Sequence, residues 1–377
     1  NLNTATKDDL EQLPFLDGDE IEEILAYVYR YGPMQSLGEL MLIEELDYQT
    51  RQFLTLFVYV ENPVEEKEKL RLKTLLKEGR HEVTSRLDVP LYKRDGYKIP
   101  EDEVLLKNPN KVYLGNSLYH NIRYTYQYRN RLFWGFTAEK DAGEPFGSYG
   151  NKAYDAYSFH FLLKDCGKLK TLALGDYRLG FGEGLVVNSD FSLGKSTLFN
   201  MGDTRPSIKK FSSTSETSFF RGIAAAFRFG RVDMSAFYSY LPTDATLRKD
   251  GTISSLKTDG LHRTLLELSK KHNVTEQSVG TDVTWNTEYF SLGAIVFYQH
   301  FSRSFSKGTE LYRQYYPDEK DFLNAGLHYR WHRDRFSFSG ETAFSNMYGG
   351  WATLNKAIYR FNHRYSMVAL QRLFTYQ

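Results

Sequence analysis

From Asn1 to about Asn62 the apolar residues return at helical spacing. Leu10 and Leu13, then Ile21, Ile24, Leu25 and Val28, then Leu37, Leu40, Leu42 and Ile43, then Phe53, Leu54, Phe57 and Val58 predict four short helices. Asn3 or Thr4 is placed to cap the first, its side-chain oxygen accepting from free backbone N–H groups ahead of Asp8, Asp9 and Glu11. Gly32-Pro33 stops the second. The charged stretch from Glu61 to Gly79 carries a short amphipathic helix around Leu70 to Leu76 and reads as a connector.

After Gly79 the period changes to two. Val83, Ser85, Leu87, Val89 and Leu91 alternate with polar or charged neighbours. Leu118, Ile122, Tyr124, Tyr126 and Tyr128 alternate with Asn121, Arg123, Thr125, Gln127 and Arg129, and Leu132, Trp134, Phe136 and Ala138 with Arg131, Gly135, Thr137 and Glu139. One face is greasy and the other polar. The same rule draws strands at 157–163, 169–177, 219–229, 232–240, 279–285, 289–300, 322–331, 336–344, 351–361 and 365–377, thirteen in all.

The connections sort by length. Tight turns fall at 129–130, 165–168, 230–231, 286–288, 332–334 and 362–364, and between them lie long joins at about 95–116, 141–155, 179–217, 242–277 and 302–320. Short links on one side and long ones on the other are the pattern of an outer-membrane barrel, whose tilted strands of about ten residues cross the bilayer. A soluble β-sandwich or β-solenoid also alternates, but its loops need not sort in this way. Thirteen is odd, and single-chain bacterial barrels close with even numbers. The sequence therefore predicts an antiparallel transmembrane β-barrel of 14 or more strands, spanning 80–377, with its C-terminal part missing.

Composition bears on this at four points. Tyr (28) and Phe (27) raise the aromatic share to 16 %, as expected of rings packed on pleated surfaces. The formal charge of +1 sets no global field toward nucleic acid or an anionic surface. A single cysteine, Cys166, excludes an intrachain disulfide. The mean hydropathy of −0.51 looks soluble, yet a barrel averages its lipid face with a polar lumen and wet loops. No run of about 18 apolar residues forms a spanning helix, and a secretory leader, if the precursor has one, is removed before Asn1.

Asn1-Leu2-Asn3-Thr4-Ala5-Thr6, Leu10, Leu13-Pro14 and the set Ile21, Ile24 and Tyr27 resemble the helix-hairpin-helix module of the ComEA competence family. A weaker second copy runs from Leu37-Gly38-Glu39-Leu40 through Leu46 to Phe53, so that 1–61 resembles a tandem helix-hairpin-helix domain, with 62–79 as linker. Such a head joined to a barrel resembles an uncharacterised Gram-negative outer-membrane family, which implies a periplasmic location for the head. In the family, glycines after Leu-Pro let backbone N–H groups approach DNA phosphate. This chain has Phe15, Leu16 and Asp17 there, with a glycine displaced to Gly18. Residues 1–61 also hold 13 acidic side chains against Lys7, Arg30 and Arg51, a balance of −10 that opposes phosphate binding. DNA is thus an improbable partner. Phe15, Leu16 and Asp17 are instead expected to form an exposed apolar knob for docking a protein, weighed against an acidic bundle that is merely solvated.

Tempting motifs fail on spacing. Gly194-Lys195-Ser196-Thr197 lacks the phosphate-loop glycine, since position 189 is Ser189. Gly180-Phe181-Gly182-Glu183-Gly184 fits a strand end bending inward or a loop folded into the lumen. His328 and His332 lie about 13 Å apart on a strand and cannot share an ion. No Gly-x-Ser-x-Gly occurs. The residues carry no expectation of an enzyme, metal or cofactor. Leu265, Leu266 and Leu268 mark a short helix in loop 242–277, either self-packed or acting as a lid, and Arg313 with Tyr312, Tyr315 and Tyr316 marks a contact patch.

Function follows as two expectations. The first is a subunit or scaffold of a bacterial outer-membrane complex, in contact with outer-membrane lipid, whose periplasmic head docks a periplasmic or outer-membrane protein. The second is a channel or uptake pore for solute or DNA, with a polar lumen formed by Arg123, Gln127, Arg129, Arg131 and Glu139.

Overall fold

The computed structural model describes residues 1–34, 36–43, 45–60, 78–151, 153–189, 207–308, 311–313, 315–333, 335–346, 349–361 and 365–375. The chain divides into two compact units, Asn1–Thr74 and Leu75–Gln377. The expected helix at 70–76 and the Gly194-Lys195-Ser196-Thr197 stretch lie outside the described residues.

The first unit contains α1 (Lys7–Leu10), α2 (Gly18–Tyr31), a 3-10 turn over Leu37–Leu42 and α3 (Tyr48–Phe57), the four helical segments that the periodicity predicts. Leu10, Ile21, Ile24, Met34, Leu40, Ile43, Leu46 and Leu54 make one buried core with Leu2. The first cap is Thr6 rather than Asn3 or Thr4, because its side chain and Asp9 form a reciprocal capping box. Asn3 is engaged elsewhere: its amide brackets Met34, donating to the carbonyl at 2.9 Å and accepting from the N–H at 2.8 Å. Gly32, at φ +88, ends α2 in a conformation that few side chains tolerate.

The second unit is built on an antiparallel sheet of 14 strands. Thirteen follow one another as neighbours in chain order: β1 (Arg80–Asp88), β2 (Tyr119–Tyr128), β3 (Leu132–Lys140), β4 (Ala156–Cys166), β5 (Leu169–Gly180), β7 (Phe220–Phe229), β8 (Val232–Thr243), β11 (Val274–Asn286), β12 (Phe290–Phe301), β13 (Asp321–Arg333), β14 (Phe336–Ser345), β15 (Trp351–Arg360) and β16 (Ser366–Phe374). These are the thirteen strands that alternation predicts. The fourteenth, β6 (Ser207–Lys210), pairs with β5 only. A small hairpin of β9 (Ala245–Leu247) and β10 (Ile253–Leu256) stands on one long loop, and α4 (Asp102–Lys107) and α5 (Leu265–Leu268) lie in others. Among the described residues no ladder joins β1 to β16.

Burial is inverted relative to a soluble sheet. On β11 the exposed positions are Val279, Val283 and Trp285, while Ser278, Asp282 and Thr284 are buried. On β12 Leu292, Val296 and Tyr298 are exposed and alternate with buried Ile295 and Phe297. One face of the sheet is therefore an open apolar surface, and the other encloses the mixed interior. That the sheet curls is clear from contacts between distant strands: the loop after β5 meets Glu341 of β14, six places away in the strand order.

At one place the wall is irregular. The β4–β5 ladder ends at His160 opposite Gly175, which has φ +83 and lies so near Phe159 that a side chain would strike its carbonyl. Beyond it β5 takes β6 as its neighbour on that side, and residues 156–159 of β4 lack ladder partners on β5. Arg221 spans the gap, donating to the Tyr157 carbonyl at 3.0 Å while bound to Asp176 at 2.6 Å.

Candidate functional site

The interior is filled at mid-height by the chain's own loop. Residues 181–189 leave β5 and fold inward, where Phe181 and Val187 join a buried apolar cluster with Leu162, Tyr177, Phe237 and Phe297. The other side of this loop is held by Glu341, whose carboxylate accepts from the N–H groups of Glu183 (2.7 Å), Leu185 (3.0 Å) and Val186 (3.1 Å). Gly182, at φ +57, passes so close to Glu341 that a methyl group would collide with it. The glycine-rich stretch is thus a loop folded into the interior, one of its two expected forms.

Cavities lie on either side of this occlusion. One, of about 780 Å³, faces the tight-turn end and is bounded by Lys170, Arg228, Asp233, Asn286 and Arg330 among others. The other, of about 450 Å³, lies at the long-loop end between Thr137, Ser158, Phe220, Glu276 and Phe297 and the loops above them.

Above that second chamber three loops converge on His262. Its Nδ1 meets Asp155 at 2.6 Å and its Nε2 meets Asp244 at 2.5 Å, so the imidazole bridges the start of β4 to the end of β8. Lys271 adds an ion pair to Asp155 at 2.7 Å. Glu144 accepts from the His262 N–H at 2.8 Å and from the Asp141 N–H at 2.8 Å. Burial disfavours the imidazolium, but the two aspartates outweigh it and push His262 up to about 9. Burial also acts to raise Asp155, yet His262 and Lys271 hold it down at about 2. Glu144 rises to about 7 and Glu216 to about 8, each through burial first and neighbouring carboxylates second. Ligand-type atoms of Glu144, Asp155 and His262, and of Glu216, Asp244 and His262, lie within 4.8 Å of one another. Both imidazole nitrogens are taken by carboxylates, however, so the arrangement is an aspartate–imidazolium–aspartate clasp.

Sequence periodicity does not find this clasp. Asp155 and Asp244 stand just outside strand ends, His262 is a lone polar residue in loop 242–277, and only strand pairing assembles them.

The expected lumen residues separate into two groups. Arg123, Gln127 and Glu139 occupy the face of β2 and β3 opposite the Tyr124 and Trp134 rings, and Glu139 accepts from the Tyr119 hydroxyl at 2.7 Å. Arg129 instead lies in the β2–β3 turn at φ +47 with its guanidinium over Tyr128, and Arg131 donates to the Asp165 carbonyl of the neighbouring turn at 2.9 Å. In the head, Phe15 is not an exposed knob. It is half-buried against Phe53 and Phe57, at 6.1 and 5.4 Å between ring centres, because α3 presents both rings one turn apart. Leu16 packs on the same core, and Asp17 caps α2 by accepting from the Glu20 N–H at 2.8 Å. Leu265 and Leu266 on α5 are exposed, and Arg313 stacks over Tyr316.

No family model matches the sequence, and no curated protein does. Among solved structures the chain is similar to the anion-selective porin from Comamonas acidovorans, at 11 % identity and a TM-score of 0.30 over 70 % of this chain and 80 % of that one. It is also similar to a mutant of the Rh. blastica porin, at 11 % identity and a TM-score of 0.25 over 68 % and 84 %. Likeness at this level does not establish a shared function.

Proposed function

We propose that this chain is a bacterial outer-membrane β-barrel protein with an occluded interior, serving as a membrane-embedded subunit or scaffold of an outer-membrane complex, with its acidic head in the periplasm contacting a protein partner. The membrane assignment rests on the inverted burial of the strands: apolar side chains stand bare on one face while Asp282, His328, Glu341 and Lys356 are buried on the other. The observation that favours a scaffold over a free pore is the loop 181–189, seated between the two chambers with three of its amides on Glu341. Planar-bilayer recording of the purified chain tests this, with no steady conductance expected. A stable open-state current from the unaltered protein would overturn it.

A second reading, a gated uptake channel, is favoured by one feature: on one side the occluding loop is held by three amide hydrogen bonds to one carboxylate, Glu341. Under that reading E341A removes the acceptor of three amide hydrogen bonds, each worth about 1.5–3 kcal/mol to a charged group. It would turn a silent barrel into a conducting one.

A further inference from the structure

The chamber at the long-loop end presents carboxyl groups without an ion pair and hydroxyl groups without a hydrogen-bond partner among the described residues. Five carboxylates line it: Glu139, Asp155, Glu216, Asp244 and Glu276. Asp155 is answered by Lys271 and His262, and Asp244 by His262. The remaining cations of the lining are engaged elsewhere, Arg221 with buried Asp176 at 2.6 Å and Lys257 with Asp259 at 3.0 Å. Glu139, Glu216 and Glu276 have no ion pair among the described residues, and Glu216, kept neutral by burial up to a pH of about 8, gives up its proton when a cation enters. Glu276 is held in place by Gln299 at 2.7 Å and Ser278 at 3.3 Å, both neutral donors.

A second observation is independent of these acids. Thr137 lines the chamber, is only 3 % exposed, and its hydroxyl has no hydrogen-bond partner among the described residues. The hydroxyl of Ser158, its neighbour across the β3–β4 ladder, is likewise buried and unpartnered. A buried hydroxyl without a partner is unfavourable, and a ligand atom that bonds to it removes that cost. Five aromatic side chains, Tyr157, Phe211, Phe219, Phe220 and Phe297, also line the chamber, beside serines and threonines. A calcium ion needs six to eight oxygens at close range and gains little from rings. An organic cation gains from both carboxylates and ring faces, and about 450 Å³ lies within the range of small-molecule sites.

The geometry points to this chamber as a binding site for an organic ammonium compound, its nitrogen held by Glu139, Glu216 and Glu276, its body against the phenylalanines and its polar atoms on Thr137 and Ser158. The site stands whether or not the interior conducts.

Calorimetric titration of the full chain in neutral detergent micelles tests it with 2-phenylethylamine, the uncharged isostere 2-phenylethanol, and calcium chloride. Saturable binding of the amine is expected, at least tenfold tighter than of the alcohol. E216Q should weaken the amine at least tenfold. T137V, which keeps side-chain shape and leaves the clasp untouched, should weaken it severalfold with the gel mobility of the folded barrel unchanged. Equal binding of amine and alcohol, calcium binding without amine binding, or no amine binding to folded protein would each overturn the proposal.

Discussion

Replacing His262 with Gln isolates the clasp. Its folded-state value of about 9 stands some 2.5 units above the ordinary 6.5, which at 1.36 kcal/mol per unit corresponds to roughly 3 kcal/mol. Breaking a buried ion pair by removing one partner costs about 3–5 kcal/mol, a consistent range. Because the folded value is raised, this stabilisation is fully present below pH 6.5 and is lost as pH rises through about 9. The raised carboxyls of Glu144 and Glu216 act in the same direction, since burial favours their neutral forms and alkali charges them. The loss is local, confined to the loops around His262, while the ladders persist. Hydrogen exchange of the His262 and His272 amides, which donate to Glu144 and Asp244, reads it directly. After correction for intrinsic rates, H262Q should exchange about 100-fold faster at pH 6.5, and the unaltered protein should approach the variant by pH 10. Protection that is flat from pH 6 to 10, or equal in the two proteins, would refute the imidazolium bridge.

Leu327 stands exposed at the centre of β13, so L327R should cost about 2–4 kcal/mol if that face meets lipid and almost nothing if it meets water, as measured by unfolding from liposomes. In the head, F15A removes two half-buried ring contacts and should lower the stability of the helical unit by ~2 kcal/mol, and D17A should remove ~1 kcal/mol of capping, both read by circular dichroism under denaturant. The full chain should show no salt-dependent shift of duplex DNA in a gel, since thirteen acids face three bases in residues 1–61.

The strands were legible because period two survives along each of them and turn chemistry separates them, as in Val232–Thr243, Gly230-Arg231 and Phe220–Phe229. Ser207–Lys210 escaped because four residues carry no period and their pairing depends on the bend at Gly175. Asn3 and Thr6 offer the same capping chemistry in sequence, and only the tertiary bracket of Asn3 on Met34 distinguishes them. The clasp is the least legible part: Asp155 and His262 are 107 residues apart, and neither belongs to a periodic element. Phe15 looked available because its partners Phe53 and Phe57 lie 38 and more residues downstream.

The interruption between β4 and β5 has a mechanical consequence. From His160 to Cys166 β4 and β5 are stitched by a row of ladder pairs that share a load, whereas at 156–159 the Arg221 guanidinium makes the bond across. Pulled across its strands, β4 and β5 should begin to part at 156–159, where Arg221 gives first, before the His160–Cys166 ladder unzips.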